Sequence, residues 1–321
     1  MRGIDDTVNA GYTTRRAAGD NLEAVAALIA AYDASDFGRP DELGLAFLRS
    51  GWAATDWGRE PGAWVVLDPG GGFAGYASID DQFVAHGVVE AFGRVHPRHS
   101  GTGVGSALLE LTERHSRRHL HPSASGGVLL RHEISGSDDG AQRLLVGAGY
   151  SFERRFLHME IDLDGAPESA RAIPGVSFGR ADIPGDEEAL YALHEAAFSD
   201  GWDYLPASFE DWAAGSTRSP ESDPGLWFVA KEGDELTGFL WARLWGDIAY
   251  VNDIAVAQPG RGRGVGESLI RRAFAELYRR GFTQVMLNVD ADNPNGAVGL
   301  YRRAGMRVRR SWDVYAKCLL P

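Results

Sequence analysis

Residues 251–301 read VNDIAVAQPGRGRGVGESLIRRAFAELYRRGFTQVMLNVDADNPNGAVGLY. The β-branched run 251–256 predicts a strand that enters a turn of glycine and arginine, 260–266. The turn opens onto a helical pattern that stops at Gly281. A second strand over 283–289, an Asn/Asp/Pro loop and a short helix carrying Tyr301 follow. Strand, glycine turn and helix N-terminus together form a phosphate cradle. The first N–H groups of a helix lack intrahelical partners, and the helix dipole adds partial positive charge there. Glycines let the backbone come close to an anion. Arg261 and Arg263 add guanidinium donors, so this segment predicts a site for a pyrophosphate-bearing ligand.

Two common phosphate loops do not fit these residues. The dinucleotide fingerprint needs a small residue three places after its second glycine, and counting from Gly264 that place holds Glu267. The Walker loop needs Gly-Lys-Ser/Thr, yet Lys231 and Lys317 each follow an alanine. What remains is R-x-x-G-x-G, Arg261 to Gly266. This motif resembles the coenzyme A motif of the GCN5-related N-acetyltransferase (GNAT) superfamily. The downstream Leu300-Tyr301-Arg302-Arg303-Ala304-Gly305-Met306 is similar to that family's catalytic-tyrosine segment. The two motifs stand in the family's order, separated by a helix and a strand.

The chain also repeats itself, and repeats are sought before folds. VHPRHSGTGVG at 95–105 aligns with VAQPGRGRGVG at 256–266. Upstream, Trp64-Val65-Val66 pairs with Trp227-Phe228-Val229, and Gly75-Tyr76 with Gly238-Phe239. Arg16-Ala17 pairs with Arg180-Ala181, and downstream Ala141, Leu144 and Gly149 pair with Ala297, Leu300 and Gly305. These landmarks in one order predict two copies of one domain, with loop indels between them. Each copy reads as an amphipathic helix, a variable polar segment, strands, the glycine turn with its long helix, then a strand, a short helix and final strands. Strands interleaved with helices imply α/β (α+β) layers around a mixed central sheet. The resemblance implies two tandem acyl-CoA N-acyltransferase domains, 1–165 and 176–321. The junction is expected in the Pro/Gly/Ala-rich stretch 165–175.

The copies differ where chemistry would sit. Copy one has Ser100, Thr102 and Leu145 where copy two has Arg261, Arg263 and Tyr301. It keeps the glycines but loses two charged phosphate donors and a phenol. The expectation is a degenerate first copy and a catalytic second one. For copy two, the resemblance implies acetyl transfer from acetyl-CoA to an amine. The strand groups at Ile254, Ala255 and Val256 would pair with the pantetheine arm as an added strand does. Arg261, Gly262, Arg263, Gly264, Val265, Gly266 and Glu267 would form the cradle, with Asn293 or Asn295 anchoring the loop or touching the coenzyme. Tyr301 would be the general acid for the leaving thiolate. Many relatives carry a Glu on the central strand where this chain has Tyr250, a poor base at ordinary tyrosine pKa. Asp253, acting through water, is the other candidate base. Asp200, Trp202 and Tyr204 form an acidic, aromatic loop suited to a cationic amine. Two readings stay beside the small-molecule acetyltransferase: a non-catalytic acyl-CoA sensor, and an acetyltransferase of protein N-termini or lysines.

Bulk composition sets the remaining limits. The 321 residues suffice for two cores, and 44% hydrophobic with 24% charged residues is ordinary for a globular protein. A net charge of −13 argues against nucleic acid or an anionic membrane as partner. Cys318 is the only cysteine, no apolar run reaches transmembrane length, and the polar start MRGIDDTVNAG lacks a signal region. A cytoplasmic monomer or homodimer is expected. His96, His99, His115, His119 and His121 cluster in sequence, with His115 and His119 at helical spacing. Neighbouring Arg114, Arg117 and Arg118 would repel a metal cation, so an exposed helix face and no metal are expected.

Overall fold

A computed structural model describes residues 7–8, 11–57, 62–120 and 127–320. The polar start of the chain, apart from 7–8 and Gly11, and His121 lie outside the described residues. The chain forms two compact units, residues 1–156 with 310–321, and residues 157–309.

The first unit begins with β1 (Thr7–Val8), β2 (Tyr12–Arg16), α1 (Leu22–Phe37) and α2 (Glu42–Ala54). It continues with β3 (Ala63–Leu67), β4 (Phe73–Asp80), β5 (Val88–Val95), α3 (Val104–Ser116), β6 (Val128–Ser135) and α4 (Asp139–Gly147). β7 (Ser151–Asp162) runs from this unit into the second. The second unit adds β8 (Ser177–Arg180), α5 (Glu187–Phe198), α6 (Phe209–Gly215), β9 (Trp227–Glu232), β10 (Glu235–Trp245) and β11 (Ile248–Val256). Then come α7 (Val265–Arg279), β12 (Gln284–Asp290), α8 (Ala297–Arg303) and β13 (Arg307–Leu319). The repeat is now structural, with one order of elements used twice. The segments read as variable and polar each hold a helix, α2 and α6. Ser208 caps α6 by accepting from the Asp211 N–H at 3.2 Å, a local signal for a helix start.

In the first unit the strands run β1-β2-β3-β4-β5-β6-β13, with β5 and β6 parallel. Residues alternate between the faces. Ala63, Val65 and Tyr76 pack under α1 and α2, while Val66, Ala74 and Ala77 meet Val104 and Leu108 of α3. In the second unit the order is β7-β12-β11-β10-β9-β8, with β11 and β12 parallel. Phe228, Leu240, Val285 and Leu287 pack under α7 and α8, and Trp227, Phe239 and Trp241 under α5 and α6.

The expected division at 165–175 follows the repeat as written along the chain, and the compact units follow packing instead. β13 runs antiparallel to β6 from Trp312↔Ser135 to Leu319↔Val128, so the last strand of the second repeat completes the first unit's sheet. Tyr315 and Leu319 join the first unit's core with Leu130 and Leu145. Deleting buried methyl groups costs about 2–5 kcal/mol for Leu→Ala. Leu319→Ala is therefore expected to destabilise the first unit, seen as faster amide exchange in β6. Loss of protection confined to the second unit would contradict the assignment.

Candidate active site

The site grows from the turn between β11 and α7. Gly262 and Gly264 adopt φ of +74° and +90°, a conformation that side-chain-bearing residues rarely take. Gly266 is needed for space, since a Cβ there would meet Leu300 Cδ1 at 2.6 Å. The first unit repeats this geometry: Gly101 and Gly103 have φ of +75° and +89°, and Gly105 faces Leu144. α7 starts at Val265, with Leu269, Ile270, Ala273, Phe274 and Leu277 forming its buried stripe. Its first-turn N–H groups face the turn, as an anion cradle requires.

Arg261 is exposed and pre-set by two acceptors, the Val256 carbonyl at 3.1 Å and Asn295 Oδ1 at 2.6 Å. Asn293 Oδ1 accepts from the Asn295 N–H at 2.9 Å. The two asparagines thus divide the work: Asn293 shapes the turn and Asn295 holds the arginine. Arg263 pairs with Glu232. Glu267 accepts from Arg271 at 3.2 Å and from Arg303 at 3.4 Å, which ties α7 to α8.

β11 and β12 pair in register only at Ala249↔Val285 and Tyr250↔Met286. Beyond that point the paired register ends, leaving Ile254, Ala255 and Val256 on the open side. β10 and β11 shift register after Trp241, which pairs with Asp253. Trp241 Nε1 donates to Asp253 Oδ2, and Asn252 reaches the same oxygen at 3.5 Å.

Three residues chosen from sequence come together at this opening. Tyr301 is buried in the core under α8. Burial raises its phenol pKa, and nearby Asp253 and Tyr250 raise it further. Burial also pushes Tyr250 up to about 12, with the nearby Asn288 main chain acting the other way. Tyr250 is therefore a proton-holding group near neutral pH, not a base. The loop with Asp200, Trp202 and Tyr204 is tied to α5, where the Tyr204 phenol donates to Glu195. α5 covers the sheet face that carries Trp241, so the loop and Asp253 share that side.

Both phenols hold their protons at pH values where the unfolded chain, titrating near about 10, has released them. The folded state then binds more protons than the unfolded state above that pH. Stability is therefore full below about pH 10 and falls as pH rises toward 12. Urea midpoints measured at increasing pH check this, with a shallower fall expected for Tyr250→Phe. A midpoint constant through that range would contradict the assignment.

The remaining sequence candidates lie elsewhere. His115 is not on an exposed helix face. It is half-buried edge-on to Trp64 at 5.1 Å, and burial lowers its pKa to about 4. Among the described residues no group of His, Cys, Asp and Glu could hold a metal. No described helix is long and apolar enough to cross a membrane. Sequence reasoning passed over Asn288, His158 and Glu160, described below.

The Acetyltransferase (GNAT) family matches residues 187–306, which span the cradle and Tyr301. A mycothiol acetyltransferase of Thermobispora bispora is 31% identical over 300 residues, covering 91% of this chain and 94% of its own. The chain belongs to the GNAT acetyltransferase family. Another mycothiol acetyltransferase, from Saccharopolyspora erythraea, is 32% identical, covering 74% of this chain and 80% of its own. A GCN5-related N-acetyltransferase from Sphaerobacter thermophilus superposes with a TM-score of 0.86 at 32% identity, with 98% of each chain covered. A tandem GNAT protein from the clavulanic acid biosynthesis pathway shares the fold, at TM-score 0.70 and 17% identity, covering 97% of this chain and 99% of its own. As a GNAT protein the chain is an acyltransferase, and the family implies an acyl-CoA donor and an acceptor.

Proposed function

We propose that the second unit transfers an acetyl group from acetyl-CoA to a primary amine of a small molecule. The meeting of Tyr301, Tyr250 and Asp253 where β11 leaves β12 carries this reading. The open edge at 254–256 suits an amide-bearing arm, and the Gly262–Gly266 turn with Arg261 suits its pyrophosphate. The amine attacks the thioester carbonyl, and the C–S bond breaks as the C–N bond forms. Tyr301 gives its proton to the thiolate. Asp253 takes the excess amine proton at Oδ1, since Trp241 and Asn252 both engage Oδ2, and that proton restores Tyr301 through water. Asp200, Trp202 and Tyr204 line the acceptor side.

The mycothiol acetyltransferases among the relatives make a small amine-bearing thiol precursor one acceptor to include in a test panel. The first unit is read as degenerate. Its strands β5 and β6 also part after Phe92↔Glu133, but the Arg94 guanidinium bridges the gap, donating to the Gly93 carbonyl at 2.8 Å and the Glu133 carbonyl at 3.3 Å. Phe92, Tyr32 and Trp312 rings surround that guanidinium. A filled slot has no room for an added strand-like arm. Calorimetry with acetyl-CoA, followed by thiol release over a panel of amines, tests the whole reading. Absence of acetyl-CoA binding defeats it.

A further inference from the structure

On β12, Val285, Met286, Leu287 and Val289 are buried, and Asn288 between them is exposed. Val285, Leu287 and Val289 pack under α7, so alternation turns Asn288 to the opposite face. That face also carries Trp241 with Asp253. Tyr250 pairs across the sheet with Met286, so Asn288, two residues further along β12 on the same face, lies diagonal to Tyr250 and beside the reacting groups. On β7, Met159 and Ile161 likewise pack under α7, leaving His158 and Glu160 on the Asn288 side. His158 is 1% exposed and Glu160 3%. His158 Nδ1 lies 2.8 Å from Asn288 Oδ1, and His158 Nε2 lies 3.2 Å from Glu160 Oε1. Glu160 Oε2 also accepts from Gln284 Nε2 at 3.4 Å and faces Arg309 Nε at 3.8 Å. A buried polar chain with these partners costs stability to assemble unless its members are satisfied. His158 and Glu160 are buried, and the chain reaches solvent at Arg309 and at the Asn288 amide.

With Asn288 Oδ1 facing Nδ1 and the Glu160 carboxylate facing Nε2, an acceptor stands at each end of the ring, and in this arrangement both ring nitrogens donate. His158 therefore holds Asn288 with Oδ1 inward, and the Asn288 NH₂ points out with two free-to-donate hydrogens. Such a group does not suit the amine nitrogen, whose hydrogens need acceptors and whose lone pair must face the thioester. It suits an oxygen carried near that nitrogen. We propose that Asn288 selects acceptors bearing a hydroxyl or carbonyl oxygen beside the reacting amine, with His158 and Glu160 as positioning residues for its amide. This rests on the reading of the second unit as the site of transfer.

The test compares matched probes, 2-aminoethanol against ethylamine and glucosamine against cyclohexylamine, in the thiol-release assay on the full chain with acetyl-CoA. Wild-type protein is expected to prefer the oxygen-bearing member by about tenfold or more in kcat/KM. Asn288→Leu should level each pair with acetyl-CoA affinity kept. His158→Leu should level them in part. His158→Asn, whose amide can donate from near the Nδ1 position, should restore the preference, which a merely structural histidine would not show. Equal use of each pair by wild-type protein, or an unchanged ratio in Asn288→Leu, overturns the proposal. So does a His158→Leu variant that loses thermal stability and keeps the ratio. Acetyl-CoA binding without turnover of any probe also overturns it and leaves the donor half of the proposed function standing. Absence of acetyl-CoA binding is the separate failure of that function itself.

Discussion

Tyr301→Phe is expected to lower kcat by about 10²–10⁴-fold, the range that general acid catalysis supplies, with acetyl-CoA affinity nearly unchanged. The ring is buried beneath α8 among Ala304, Met306 and the stripe of α7, so phenylalanine keeps the packing and only the hydroxyl is lost. The environment makes the hydroxyl a proton donor. Burial, Asp253 and Tyr250 all raise its pKa, so the phenol still holds its proton when the thiolate departs. The measurement is kcat across pH with coenzyme affinity from calorimetry. Unaltered turnover at every pH would make Tyr301 a packing residue and remove the mechanism, while leaving the coenzyme site in place.

Arg261→Ala should weaken acetyl-CoA binding by tenfold or more, and Ser100→Ala, at the matching place in the first unit, should leave it unchanged. A hydrogen bond to a charged group is worth about 1.5–3 kcal/mol, and about 1.4 kcal/mol is a factor of ten. Arg261 is fit for that role because Val256 and Asn295 already fix its direction, so little side-chain freedom remains to be lost on binding. Ser100 has no charge to offer, and Arg94 already bridges to the Glu133 carbonyl past the end of the paired register of β5 and β6. Equal losses from the two substitutions, followed by calorimetry, would contradict the choice of the second unit.

The sequence by itself determined the local devices. Gly262, Gly264 and Gly266, with their counterparts 101, 103 and 105, could be read because positive φ and close approach admit almost nothing but glycine. Arg261 could be proposed because it stands directly before those glycines, Tyr301 because its own segment Leu300 to Met306 follows in order, and the repeat because it recurs. Tertiary structure alone decided what depends on distant partners. The final strands 151–162 and 307–319 are alike, and nothing local tells β13 to complete the first unit beside β6. Arg94 reads as an ordinary strand arginine until its carbonyl partner on β6 is seen. His158 and Asn288 are 130 residues apart and meet only because β7 and β12 are neighbours in one sheet. Side-chain spacing along a strand reports which face a residue takes. Which strand lies alongside is set by the packing of the whole unit, and the groups facing the acceptor are supplied by such neighbours.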